Sequence, residues 1–152
     1  MTVHFDLGDY VPYLLNRVGV LLAGNLSRDL EQFGVTVPMW RVMGALLDEG
    51  EQRLGDLARL TAIELSTLSR VTASMENRGL VVRRRSGQDA RAVLISLTED
   101  GRKRAESIVP VALHWENVVI AGLSADERQS LKSLLLRLYD NIADAPADAG
   151  GR

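Results

Sequence analysis

Between Leu54 and Leu97 the spacing of apolar residues changes once, and that change restricts the folds open to the chain. Up to Gly79 the apolar residues recur at intervals of three and four, the period of a helix. Leu57, Ala58 and Leu60 form the apolar side of a short first helix, which is expected to pack on the next one. Thr61-Ala62-Ile63 makes a turn. A second helix is expected from about Glu64 to Arg78, with Leu68, Val71 and Met75 facing inwards and Gly79 as its stop. Past Gly79 the period becomes two. Leu80 to Arg85 reads as a strand, Ser86-Gly87-Gln88-Asp89 as a turn, and Ala92 to Leu97 as the returning strand, with Val93, Ile95 and Leu97 on one face. A two-stranded ribbon is marginal alone and must lean on the helices.

Helix, tight turn, helix and leaning hairpin, in that order, describe a winged helix-turn-helix, an arrangement that reads double-stranded DNA. The flanks are helical. Val11, Leu14, Leu15, Val18, Leu22, Leu26 and Leu30 mark a long amphipathic helix, widened by Leu21 and ended by Gly34. An apolar stripe of that width suits burial against a partner chain. Thr36 is a good N-cap for a helix through Met39, Val42, Met43, Leu46 and Leu47, with Pro38 in its first turn and Gly50 at its end. Thr98 opens a long helix through about Ala121, with Pro110 inside it. Ser124 and Glu127 fit a capping box before a final Leu-rich helix. The expected fold is mainly α, a winged helix-turn-helix with a two-stranded β wing and N- and C-terminal dimerisation helices. It divides into a dimerisation helix over 1–35, the DNA-binding part over 36–97, and dimerisation helices with a tail over 98–152.

Charge agrees with this division once it is split along the chain. The net charge is −2. From Arg53 to Arg104 there are 11 basic against 6 acidic residues, and the remainder holds 7 against 14. A basic middle between acidic ends suits a chain with one face on phosphate. Cysteine is absent, which excludes disulfides and thiol catalysis. The two histidines, His4 and His114, are far apart and make a poor metal site, and there is no glycine-rich phosphate loop. No catalytic set is present, so neither an enzyme nor a cofactor is expected. No apolar run approaches the length of a membrane span, and the start lacks the pattern of a secretory signal, so a cytoplasmic protein is the expectation.

A helix entering the major groove offers its N-terminal residues to base edges. Here these are Leu65, Ser66, Thr67, Ser69 and Arg70. Arg70 can give two parallel hydrogen bonds to guanine, and Ser66, Thr67 and Ser69 can bond phosphates or bases. Leu65 has two readings, a thymine methyl contact or core packing. In the hairpin, alternation places Arg84 opposite Arg83 and Arg85, so the three cannot share one task. Arg84 and Arg85 are taken as DNA contacts, and Arg91 at the tip as the residue for a narrow minor groove. Asp89 would repel DNA, which points to a structural use. A ligand cleft could use Tyr13, Trp40, Arg41, His114 and Trp115, with Arg41 pairing a carboxylate. The other reading makes both tryptophans core or dimer contacts.

The order of elements resembles the MarR family of bacterial and archaeal transcription regulators. So does the run from Gly79-Leu80 through Arg83 to Asp89-Ala90-Arg91 and on to Leu97-Thr98-Glu99-Asp100-Gly101. An Asp and an Arg two apart, followed by an alternating strand ending in Leu-Thr, carry most of the likeness, which extends over nearly the whole chain. The resemblance implies a homodimer, a winged helix in each subunit, a palindromic operator, and release by a small ligand, often an aromatic acid. It also implies that Asp89 pairs with an arginine and holds the wing. The function expected is dimeric, sequence-specific repression on a pseudo-palindrome, with half-sites about 10 base pairs apart. The rival expectation is a protein-interaction dimer that kept the fold without specific DNA binding.

Overall fold

The computed structural model describes residues 5–87 and 91–145. Six helices and three strands follow in the order α1 (Val11–Leu30), α2 (Val37–Glu49), β1 (Gln52–Arg53), α3 (Leu54–Thr61), α4 (Leu65–Asn77), β2 (Val81–Arg85), β3 (Val93–Leu97), α5 (Glu99–Val119) and α6 (Ala125–Ala143). The chain forms two compact units, divided between Trp115 and Glu116.

In the first unit, α1 is extended by a 3-10 turn over Glu31–Phe33 and ends at Gly34, whose φ of 63° is the left-handed conformation a glycine adopts without strain. The Thr36 hydroxyl then caps α2 by accepting from the Met39 N–H, and Pro38 sits in the first turn, where its missing donor costs little. Val42, Met43 and Leu46 of α2 are fully inside. Around them lie Leu30, Leu57, Leu68, Met75, Leu80, Val81, Ile95 and Ile108. Every element of this unit except β1 therefore sends at least one apolar side chain into a single core.

The short helix α3 turns differently from the expectation. Leu57 is buried, but Leu60 is exposed and Thr61 takes the inward place. Positions 57 and 61 lie one turn apart and face the same way. Burying a threonine is tolerable because its hydroxyl donates to the Leu57 carbonyl at 2.7 Å. Ala62, at φ 51°, closes the turn to α4.

The wing has three strands, not two. β1 pairs with β3, and the order is β1-β3-β2, all antiparallel. The extra strand explains why Arg53 precedes a helix without a capping side chain. It is held by pairing with Leu94 instead. Arg83 lies opposite Ile95, on the face turned to the core, and Arg84 lies opposite Leu94, on the other.

The wing and α5 are joined by one close approach. The Thr98 hydroxyl donates to the Gly79 carbonyl at 2.6 Å and accepts from the Gly101 N–H at 2.9 Å. This brings Gly101 so near Leu80 that an added Cβ would fall 1.9 Å from the Leu80 carbonyl oxygen. Only glycine fits there. α5 runs on through Pro110 without interruption.

The second unit holds the end of α5, a turn at Gly122 (φ 83°) and α6. Ser124 and Glu127 form the expected capping box, and Lys132 pairs with Glu116 at 3.2 Å. No residue of α6 is buried.

Candidate nucleic-acid interface

The first turn of α4 begins with a side chain that the sequence pattern did not single out. The Glu64 carboxylate accepts from the N–H groups of Ser66 and Thr67, each at 3.0 Å, and also from the Ser66 hydroxyl. A helix starts with unpaired N–H groups and a partial positive charge, and a carboxylate satisfies both. The Ser66 hydroxyl, with the Ser66 and Thr67 N–H groups, lowers the Glu64 pKa to about 2. The group is fully ionised at neutral pH.

Beyond this cap, Ser66 and Arg70 are exposed and Thr67 and Ser69 are half-buried. An Arg70 Nη donates to the Thr67 hydroxyl at 3.4 Å, which leaves most of its guanidinium donors available. Leu65 is 51% exposed, which decides between its two readings against core packing. It lines a cleft of about 290 Å³ with Arg53, Asp56, Arg91 and Val93, between the starts of α3 and α4 and the wing. Arg91 thus comes to lie beside the first turn of α4. Asp89 falls outside the described residues.

The three consecutive arginines have three environments. The Arg83 side chain is half-buried, and its N–H, on the free edge of β2, donates to Glu76 of α4 at 3.2 Å. Arg84 forms a two-pronged pair with Glu51, Nε to Oε2 at 3.0 Å and Nη2 to Oε1 at 2.6 Å. Glu51 lies just before β1, so the pair crosses β3 and ties the two edges of the wing together. Arg85 is exposed at the end of β2. Neither Glu51 nor Glu64 was marked by the sequence pattern. Glu64 could have been noticed as an acid two residues before Ser66, at the start of a helix. Glu51 could not, because the pairing across β3 exists only in the folded sheet.

The five residues considered for a ligand have separate local partners. Trp115 donates its indole N–H to Asp29 at 2.8 Å, and its ring meets His114 edge to face. Tyr13 carries the Arg17 guanidinium over its ring. Trp40 is partly buried against the core, and Arg41 beside it is exposed. Among the described residues there is no cluster of side chains suited to a metal ion and no helix long and apolar enough to cross a membrane.

Residues 33–92 match the model of the MarR family. The organic hydroperoxide resistance transcriptional regulator of Bacillus subtilis is 32% identical over 136 residues, covering 90% of this chain and 89% of that one. The chain belongs to the MarR family. The HTH-type transcriptional repressor IacR of Pseudomonas putida is 28% identical, over 91% of this chain and 83% of its own. A MarR-family regulator from Silicibacter pomeroyi superposes with a TM-score of 0.81 at 28% identity, covering 90% of this chain and 92% of that one. Two further MarR-like structures concern ligands. NadR in complex with 4-hydroxyphenylacetate is 26% identical with a TM-score of 0.78, covering 91% of this chain and 96% of that one. Bordetella bronchiseptica BpsR, whose DNA binding is regulated by 6-hydroxynicotinic acid, is 30% identical with a TM-score of 0.76, covering 84% of this chain and 97% of that one. This MarR-family chain is accordingly a transcriptional regulator and not an enzyme.

Proposed function

We propose that the protein is a cytoplasmic homodimeric repressor that binds a pseudo-palindromic operator and is released by a small aromatic acid. The observation that carries the DNA reading is the first half of α4. It presents Ser66, Thr67, Ser69 and Arg70 at the end of a helix held rigidly by the core. Arg70 supplies paired donors for guanine, Thr67 and Ser69 reach bases or phosphates, Ser66 reaches base edges, and Leu65 offers an apolar surface to a thymine methyl. Arg91 and Arg85 serve the minor groove and phosphate. Arg84, already engaged with Glu51, is assigned to holding the wing.

The dimer is supported by apolar surface that a single chain leaves open. Val11, Leu14, Leu15, Val18 and Leu21 of α1 are exposed, as are Leu134, Leu135, Leu136 and Ile142 of α6. On each helix taken by itself, exposed apolar residues in this number favour association. The ligand class is supported by two relatives, one bound to 4-hydroxyphenylacetate and the other regulated by 6-hydroxynicotinic acid. Arg41, exposed beside Trp40, offers a partner for such a carboxylate.

The test is fluorescence anisotropy with DNA from upstream of the protein's own gene, at two salt concentrations and against random competitor. Binding that resists competitor, weakens with salt and saturates at two subunits per site is the expected result. Affinity equal to that for random DNA would instead favour the interaction-module reading. Aromatic acids at millimolar concentration are expected to quench tryptophan emission and weaken the complex. If they do neither, the ligand part fails.

A further inference from the structure

We infer that Glu64 and Ser66 together form an acceptor-only reading head at the start of α4, which selects an exocyclic base amine in the major groove and turns phosphate away. The inference rests on the DNA-binding reading above and deepens it.

The argument begins with the count of donors. A serine hydroxyl has one proton to give and two lone pairs to receive with. The Ser66 proton is given to Glu64. What Ser66 has left for DNA is its capacity to accept. The N–H groups of Ser66 and Thr67 are given to the same carboxylate. These are the donors with which a helix start would otherwise hold a phosphate. Glu64, being ionised, accepts only. Both side chains are exposed, so this surface meets whatever α4 meets.

On the DNA side, acceptors find few partners. Phosphate oxygens carry no proton and repel a carboxylate. In the major groove the donors are the N4 amine of cytosine and the N6 amine of adenine, while guanine and thymine offer acceptors at the matching positions. Arg70, one turn further along α4, has the opposite character, offering donors that suit guanine. The recognition helix therefore carries an acceptor patch and a donor patch one turn apart. The basic stretch from Arg53 to Arg104 draws in any DNA, and one fixed negative charge at the leading turn penalises duplexes that place no amine there.

The test uses Glu64→Gln in the full-length chain, because the amide oxygen can still cap α4 while the charge is removed. Wild-type and variant proteins are titrated against a set of operators, each changed at one base pair, and against random DNA at several salt concentrations. The wild-type protein is expected to prefer cytosine or adenine at one position in each half-site by about ten-fold, within the range for a good base contact. Replacing adenine by purine, which lacks the N6 amine, distinguishes the two bases. Glu64→Gln is expected to level that preference. It should also tighten binding to random DNA and steepen its salt dependence by about one unit of slope. Arg70→Ala should lose a guanine preference and keep the amine preference, which separates the two patches. Equal amine preference in wild type and Glu64→Gln, with random-DNA affinity unchanged, overturns the inference. So does a variant whose operator affinity falls at every position alike, since that is loss of the cap. If wild-type protein shows no base preference anywhere, it is the DNA-binding reading that has failed.

Discussion

The winged core and the last helix spend their leucines in opposite ways. In the core, Leu30, Leu46, Leu57, Leu68 and Leu80 are all but inaccessible to solvent, and each meets apolar neighbours from several elements. In α6, Leu134, Leu135 and Leu136 remain exposed, and no residue of that helix is buried. In both regions the leucines recur at helical spacing. The difference teaches that hydrophobic periodicity announces a face without saying what covers it. A core leucine is stabilised by its own chain, whereas an α6 leucine would gain its burial from a second one in the dimer we propose.

The strongest way to break this comparison is to replace one leucine of each kind. Leu68→Ala removes a fully buried side chain and should cost about 2–5 kcal/mol, measured by urea unfolding. The loss should be the same at any protein concentration. Gly101→Ala tests the seam between wing and α5. The added methyl would overlap the Leu80 carbonyl, so a loss of about 3 kcal/mol is expected, seen as a fall in melting temperature of roughly 6–12 °C. Little change there would mean that the seam is pliable and that the core is less tightly determined than the geometry says.

Leu135→Glu tests the other side of the comparison. The single chain should fold about as well as before, while sedimentation shows the dimer lost and operator affinity falls by about 100-fold or more. An unchanged sedimentation coefficient would place the interface elsewhere. Arg84→Ala should have a smaller effect, at most about 1 kcal/mol, because the pair with Glu51 is exposed to solvent. Its signature is qualitative. The salt slope of DNA binding should stay constant, as it would not for a lost phosphate contact, and Glu51→Ala should give the same phenotype.

The smallest effect concerns pH. In the folded chain the Glu64 carboxyl is lowered to about 2 from the ordinary 4.5, so on acidification the unfolded chain takes up that proton first. Its contribution is complete above about pH 4.5 and is lost as the pH falls towards 2. Stability of Glu64→Gln should therefore depend less steeply on pH in that window. Glu127, held low by Ser124, acts in the same direction in both proteins and cancels from the difference.

The legible parts of this chain are local. The change of period at Gly79, the Thr36 cap and the Ser124–Glu127 box depend on residues within four positions of each other, and each can be read from the order of amino acids. The third strand cannot, because Gln52 and Arg53 pair with residues more than forty positions away. Leu60 and Thr61 exchange roles for a related reason. A helix of two turns has too few positions to reveal its inward face, and its neighbours decide. At the interface, Ser66, Thr67, Ser69 and Arg70 can be named as the leading turn of the second helix. That the Ser66 proton is already spent, and that Arg84 is already paired, cannot.

By itself, then, the amino-acid sequence determined the number and kind of helices, the helix–turn–helix–hairpin order and the family, since all of these follow from short-range periodicity and a compact motif. Tertiary structure alone decided which of three adjacent arginines faces Glu51, why position 101 must be glycine, and which apolar faces stay uncovered. Those outcomes depend on atoms brought together from distant positions, where one ångström separates a hydrogen bond from a clash.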